Sequence, residues 1–124
     1  MKSLRFIAQL PFSRRQGQAL QGRDGVTREH FISELALDEV EASAADLLWD
    51  KLVQAAVVTD FRPKPDDNFL YLYGLADEDL DDDLIFEILS NLNLPLPSSS
   101  ALSLVGNIDT PQDFMKLVRL VRAK

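Results

Sequence analysis

The chain has 124 residues, of which 46% are hydrophobic and 27% charged, which is the balance of one ordinary globular domain. It has no cysteine, which excludes disulfides, thiolate metal ligands and thiol nucleophiles, and no triad or zinc site can be assembled around its single histidine, His30. The formal net charge of −7 is uneven, since residues 1–30 carry +4 and the remainder carries −11. An acidic body repels nucleic acid and anionic membranes, and no apolar run approaches the roughly 20 residues that cross a bilayer. We therefore expect a cytoplasmic protein that binds neither nucleic acid nor membrane.

Residues 1–26 are predicted to form an N-terminal arm or linker ahead of a body over 27–124. The apolar stretch Leu4–Leu10 is compatible with a short strand or with an arm that packs on the body. Residues 13–26 contain three glycines and few apolar side chains, which predicts a loop or a disordered linker. Four arginines of the basic amino-terminal region are interpreted as part of a solvated segment: Arg14, Arg15, Arg23 and Arg28.

The first half of the body is predicted to be helical from its caps and its apolar spacing. Thr27 can cap a short helix that reaches Leu35, and Asp38 can cap a long amphipathic helix over 40–57. Trp49 lies on the apolar face of this long helix and is expected in the core. Prolines at 63 and 65 predict an extended connection, followed by a buried helical turn over 69–73.

The second half is predicted to hold two more helices. Apolar spacing predicts one over 80–92 and another that begins at Thr110, with proline at its first position and an acid at its third. Residues 93–100 are rich in proline and serine and predict a loop. Asp60, Asp66 and Asp67 are expected to form exposed pairs with Arg62 and Lys64.

An acidic segment, residues 77–83, is the most conspicuous feature of the chain. Its six carboxylates could form a docking face for a basic partner, or a solvated helix start stabilised by the helix dipole. A calcium loop of the EF-hand type fits poorly, because its glycine and bidentate glutamate positions fall on Asp82 and Ile88. The candidate partner-binding residues are Asp77, Glu78, Asp79, Asp81, Asp82 and Asp83.

The pattern from about residue 44 to 121 resembles the acyl carrier proteins, a family of four-helix bundles. The long helix 40–57 resembles the first helix of the family, and the remaining likeness lies in four stretches: Lys64–Leu70, Leu84–Leu89, Asn93–Pro97 and Ile108–Asp113. The resemblance implies a short third helix and an acidic recognition face. It also implies a serine at the head of the central helix that accepts a phosphopantetheine arm.

That serine is missing, since its place is occupied by Glu78 or Asp79 depending on the alignment. Ser90 and Ser98–Ser100 cannot replace it without a different register. The sequence therefore predicts an all-α bundle of four or five helices that is not an enzyme and needs no cofactor. We expect a non-catalytic interaction module for a basic protein partner. The alternatives are a small-molecule or acyl-chain binding protein and an immunity-type inhibitor, and the oligomeric state stays open.

Overall fold

Helices are the only regular elements among residues 12–76 and 84–122, which are the residues that the structure, a computed structural model, describes. This confirms the all-α prediction for that part of the chain. The helices in chain order are α1 (12–20), α2 (Arg28–Leu35), α3 (Glu39–Ala55), α4 (Phe69–Tyr73), α5 (Phe86–Asn91), α6 (Ser99–Val105) and α7 (Pro111–Arg122).

Most of these helices begin where a polar side chain can accept a free main-chain N–H group. Four of them start one residue after such a side chain, which accepts the N–H three positions on at 2.7–3.1 Å: Thr27, Asp38, Asn68 and Ser98. At the start of α7 the arrangement is reciprocal. The Asp113 N–H donates to Thr110 Oγ1 at 3.3 Å, and Asp113 Oδ2 accepts the Thr110 N–H at 3.2 Å. The predicted caps at Thr27, Asp38 and Thr110 are confirmed.

The core is built around α3, which packs against α2, α5 and α7, while α6 packs against α7. Trp49 is only 9% exposed, and its ring meets the edge of the Phe31 ring at a centroid distance of 5.3 Å. Its predicted place in the core is confirmed. The side chains that α2 to α7 bury completely include Phe31, Leu48, Leu52, Phe69, Ile88, Leu89, Phe114 and Leu117.

Residues 12–20 form a helix, so the prediction of a loop over 13–26 is wrong there. The reason is tertiary. The side chain of Gln16 is fully buried, where its Nε2 donates to the Leu72 carbonyl at 2.8 Å and its Oε1 accepts the N–H groups of Val57 and Val58 at 2.9 and 3.2 Å. A glycine within a helix costs about 1 kcal/mol relative to alanine, and bonds of this kind outweigh that cost at Gly17.

The second half departs from the prediction at two further points. The expected loop over 93–100 is wrong at its end, because Ser98 caps α6 and the helix starts at Ser99. The expected helix over 80–92 is present as α5, preceded by a wider π-type turn at residues 84–85. Residues 80–83 lie outside the described part of the chain, and so does the apolar stretch Leu4–Leu10.

Candidate interaction surface

All six candidate partner-binding residues lie outside the residues that the structure describes. What is described is the chain on both sides of them. Helix α4 is capped by Gly74, three positions before the acidic segment begins. Leu84 directly follows the last residue of the acidic segment. The geometry of these two flanks determines where the acidic segment is attached to the body.

The amino-terminal flank is anchored in the core. Leu72 and Tyr73 are 6% and 5% exposed, and Gly74 ends the helix with a left-handed φ of 71°. A side chain at Gly74 would bring its Cβ to 3.0 Å from Cε2 of Phe12 on α1. Only glycine combines the left-handed backbone with this close approach at low cost, so the chain leaves the core at a fixed point.

A buried ion pair lies behind this anchor. Nη1 of Arg23 donates to Asp67 Oδ2 at 2.8 Å and Nη2 donates to Oδ1 at 2.5 Å, with the two side chains 11% and 3% exposed. Asp67 Oδ2 also accepts the hydroxyl of Tyr73 at 2.9 Å and the main-chain N–H of Lys64 at 2.8 Å. The buried carboxylate is therefore compensated by both charge and hydrogen bonds, which a buried charge requires.

A second arginine, Arg62, adds hydrogen bonds to the main chain of the same region. Arg23 Nη1 donates to the Arg62 carbonyl at 2.8 Å, and Arg62 Nη1 donates back to the Arg23 carbonyl at 3.2 Å and also to those of Asp24 and Val26. The two guanidinium groups thus join the loop after α1 to the connection before α4.

The structure corrects two expectations about these residues. Asp67 was expected to form an exposed pair with Arg62 or Lys64, and Arg23 was expected in a solvated tail. Both expectations are wrong, because Asp67 and Arg23 are buried against each other. No local sequence signal marks a pair whose members lie 44 positions apart.

The protonation states of this network follow from its surroundings. Burial raises the pKa of the Tyr73 phenol well above its ordinary value, and the Asp67 carboxylate beside it adds to the effect. Burial lowers the pKa of Arg23, but the hydrogen bonds and charge of Asp67 outweigh it, so that the pKa is raised. At neutral pH Tyr73 is neutral and Arg23 is charged.

The carboxyl-terminal flank is anchored as well. Leu84 and Ile85 are 3% and 1% exposed. Two residues further on, Glu87 Oε2 pairs with Lys51 Nζ at 2.6 Å and so ties α5 to α3. The described residues on both sides of the acidic segment are therefore anchored in the core.

Five lysine and arginine side chains among residues 12–76 and 84–122 lie within 3.0 Å of a carboxylate oxygen outside the acidic segment. They are Arg23 with Asp67, Arg28 with Asp46 and Asp50, Lys51 with Glu87, Arg119 with Glu41, and Arg122 with Asp38 and Glu41. Neutralising the acidic segment with any of them would break an ion pair elsewhere.

An open groove of about 850 Å³ lies along α5, beginning two residues after Leu84. Its walls combine apolar and polar side chains from α5 and from the stretch that follows it. The residues that line it are Phe86, Glu87, Ser90, Asn93, Leu94, Pro95 and Leu96.

The remaining candidates are placed as follows. His30 is exposed on α2 and pairs with Glu34 at 2.5 Å. Within residues 12–76 and 84–122, no group of three or more histidine, aspartate or glutamate side chains is arranged to hold a metal ion. Over the same residues, each helix falls short of the length and apolar character that a membrane span requires.

Comparisons with known proteins place the chain in no family. No protein-family model matches it, and neither a curated protein nor a solved structure matches it.

Proposed function

We propose that this protein is a non-catalytic interaction module that binds a basic protein partner through the acidic segment. The scaffold in this proposal is an acyl-carrier-like bundle that lacks the phosphopantetheine-attachment serine. The cytoplasm is the compartment in which we propose that it acts.

One observation carries the proposal: six carboxylates occupy seven consecutive positions between two buried anchors. A helix dipole stabilises an acid in its first turn by about 0.3–1 kcal/mol, but crowding six acids adds mutual repulsion. Five of the basic side chains among the described residues are already engaged with other carboxylates, so they are not free to offset this repulsion. A basic partner would relieve the repulsion and would be attracted at long range.

The carrier-like part of the proposal is supported by the order of the helices. A long helix, α3, is followed by a long connection that contains the single-turn helix α4, and then by α5, α6 and α7, each shorter than α3. This is the order that the resemblance implies.

The test is affinity capture from a lysate of the source organism with three forms of the protein. The first is wild type, and the second carries Asp81→Asn, Asp82→Asn and Asp83→Asn. The third is a control with the same change in charge at exposed acids far along the chain: Asp24→Asn, Glu29→Gln and Glu39→Gln. We expect a partner that wild type and the control retain and the acidic-segment variant loses. Equal retention by all three would refute the proposal.

The missing attachment serine has its own test. Incubation with a broad-specificity phosphopantetheinyl transferase and coenzyme A is expected to leave the intact mass unchanged, because neither Glu78 nor Asp79 offers a hydroxyl. A stoichiometric adduct would show that the protein is a working carrier.

A further inference from the structure

We propose that the groove along α5 receives a basic amphipathic helix of the partner protein. This inference rests on the proposed function and names the class of partner segment. The acidic segment attracts the partner, and the groove receives the apolar side chains of its helix.

Packing in the core and main-chain hydrogen bonds hold the residues that line the groove in place. Ile88 and Leu89 are fully buried on the inner face of α5, so the helix cannot rotate away. After the helix, Asn93 adopts a left-handed φ of 56°. The Asn93 N–H donates to the Ser90 carbonyl at 3.1 Å and the Leu94 N–H donates to the Leu89 carbonyl at 2.9 Å. This pair of bonds is a Schellman motif, which fixes Leu94 at the end of α5, and the prolines at 95 and 97 restrict the backbone of the stretch that follows.

The rigid stretch presents apolar surface to solvent. Leu96 is 58% exposed, Pro95 beside it is exposed, and Phe86 on the opposite wall is half-buried. A wall that is already in place loses little conformational entropy when a ligand binds, so its apolar area contributes more fully to affinity.

The two prolines of this stretch indicate which kind of segment fits. A partner that adds as a β-strand binds through main-chain hydrogen bonds to successive residues. Pro95 and Pro97 have no N–H, so between them only Leu96 can donate. A helix satisfies its own main-chain groups and needs only side-chain contacts from the groove. The wall is therefore suited to a helix.

Charge indicates the sign of the partner. Residues 31–124 carry a net charge of −11, and the groove begins beside the chain position where the acidic segment ends. Within the groove itself, Glu87 is 52% exposed on its side chain although it pairs with Lys51. A helix with lysine or arginine around an apolar stripe complements this surface.

The test uses a defined peptide of about four helical turns, with leucines at the spacing i, i+3, i+4 and i+7 and lysines elsewhere. A second peptide has the same composition with the leucines rearranged so that they share no face, and a third has two central lysines replaced by proline. Binding is followed by fluorescence anisotropy. We expect the first peptide to bind at least about tenfold more tightly than the other two, which corresponds to about 1.4 kcal/mol, because it alone can bury its leucines on one helical face.

The protein variants locate the binding site. Leu96→Ser is expected to weaken the first peptide about tenfold. Leu104→Ser is the matched control, because Leu104 is 75% exposed on α6 and does not line the groove. This control is expected to leave binding unchanged. Both leucines are exposed, so both variants should fold, which circular dichroism verifies.

The outcomes separate this inference from the proposed function. Equal binding of all three peptides, abolished by the change of Asp81, Asp82 and Asp83 to Asn, would leave the proposed function standing and overturn the groove. Preferential binding of the proline peptide would mean that the partner is extended, which also overturns the helix. Loss of the first peptide in Leu104→Ser but not in Leu96→Ser would place the site elsewhere.

Discussion

Changing Arg23 to Met tests the buried ion pair most directly. Methionine keeps much of the aliphatic stem but removes the guanidinium group, which makes two bonds to Asp67 and one to the Arg62 carbonyl. Asp67 then remains 3% exposed and negatively charged, with only the Lys64 N–H and the Tyr73 hydroxyl to stabilise it. Those two bonds do not replace the lost charge.

The expected loss of unfolding free energy is about 3–5 kcal/mol, which is the usual cost of removing one partner from a buried pair. This is a large part of the roughly 5–15 kcal/mol that stabilises a domain. Arg28→Met is the matched control, since Arg28 also binds carboxylates at 2.5–2.6 Å but its side chain is 39% exposed. For this exposed pair we expect a loss of only about 0–1 kcal/mol.

Both variants are measured by urea unfolding followed by far-UV circular dichroism. Trp49 fluorescence is unsuitable for the control, because Arg28 lies 6.0 Å from that ring. Equal losses in the two variants, within about 0.5 kcal/mol, would refute the reasoning from burial. The double change of Arg23 to Met and Asp67 to Leu is expected to recover part of the loss, because no unpaired charge then stays buried.

Three further predictions follow from single residues. Gly74→Ala is expected to destabilise the protein by at least about 1–2 kcal/mol, because the φ angle at Gly74 is positive. Gly17 lies within α1 with open space around it, so Gly17→Ala is expected to stabilise the protein by about 0.5–1 kcal/mol. In Tyr71→Phe the only tyrosine left is Tyr73, and its absorbance at 295 nm is expected to change only well above pH 10.0, with stability falling as the pH rises past that value. The Glu41 N–H and then Arg122 lower the pKa of Asp38. The free energy of unfolding in urea is therefore expected to be higher for wild type than for Asp38→Asn, with the whole difference present above pH 3.8 and a smaller one below that pH.

Each of these has a clear contrary result. Losses of similar size from the two glycine changes would mean that backbone conformation does not decide the effect. Ionisation of Tyr73 near pH 10.0 in the folded protein would show that the phenol is exposed to solvent. A difference between wild type and Asp38→Asn that persists unchanged into acid would remove the ion pair as its cause.

The helices α2, α3 and α7 could be predicted from the sequence because their signals are local. Each has a polar cap and an apolar stripe, and Thr27, Asp38 and Thr110 make the hydrogen bonds that the sequence indicates. The serine run before α6 offered the same signal at Ser98, but it was interpreted as loop composition.

Helix α1 and the buried pair could not be predicted because their causes are not local. The glycines of residues 13–26 favour a loop, and only contacts with residues 39–56 positions away make the helix and the loop after it stable. Asp67 carries no mark that separates it from its exposed neighbour Asp66. The acidic segment, in contrast, could be recognised from composition alone, and the groove along α5 could not.

The separation in sequence between Gln16 and its hydrogen-bond partners also determines when α1 can become stable during synthesis. Its acceptor on Leu72 lies 56 residues further along the chain, so at about 5–20 residues per second it is translated roughly 3–11 s later. Val57 and Val58, which donate to the same side chain, are also translated more than 40 residues after Gln16. The ion pairs between α2 and α3 join residues at most 22 positions apart, Arg28 and Asp50, so they can form much sooner. We therefore expect α1 to be among the last of the described helices to become stable on the ribosome, with its sequence open to chaperones and proteases until then.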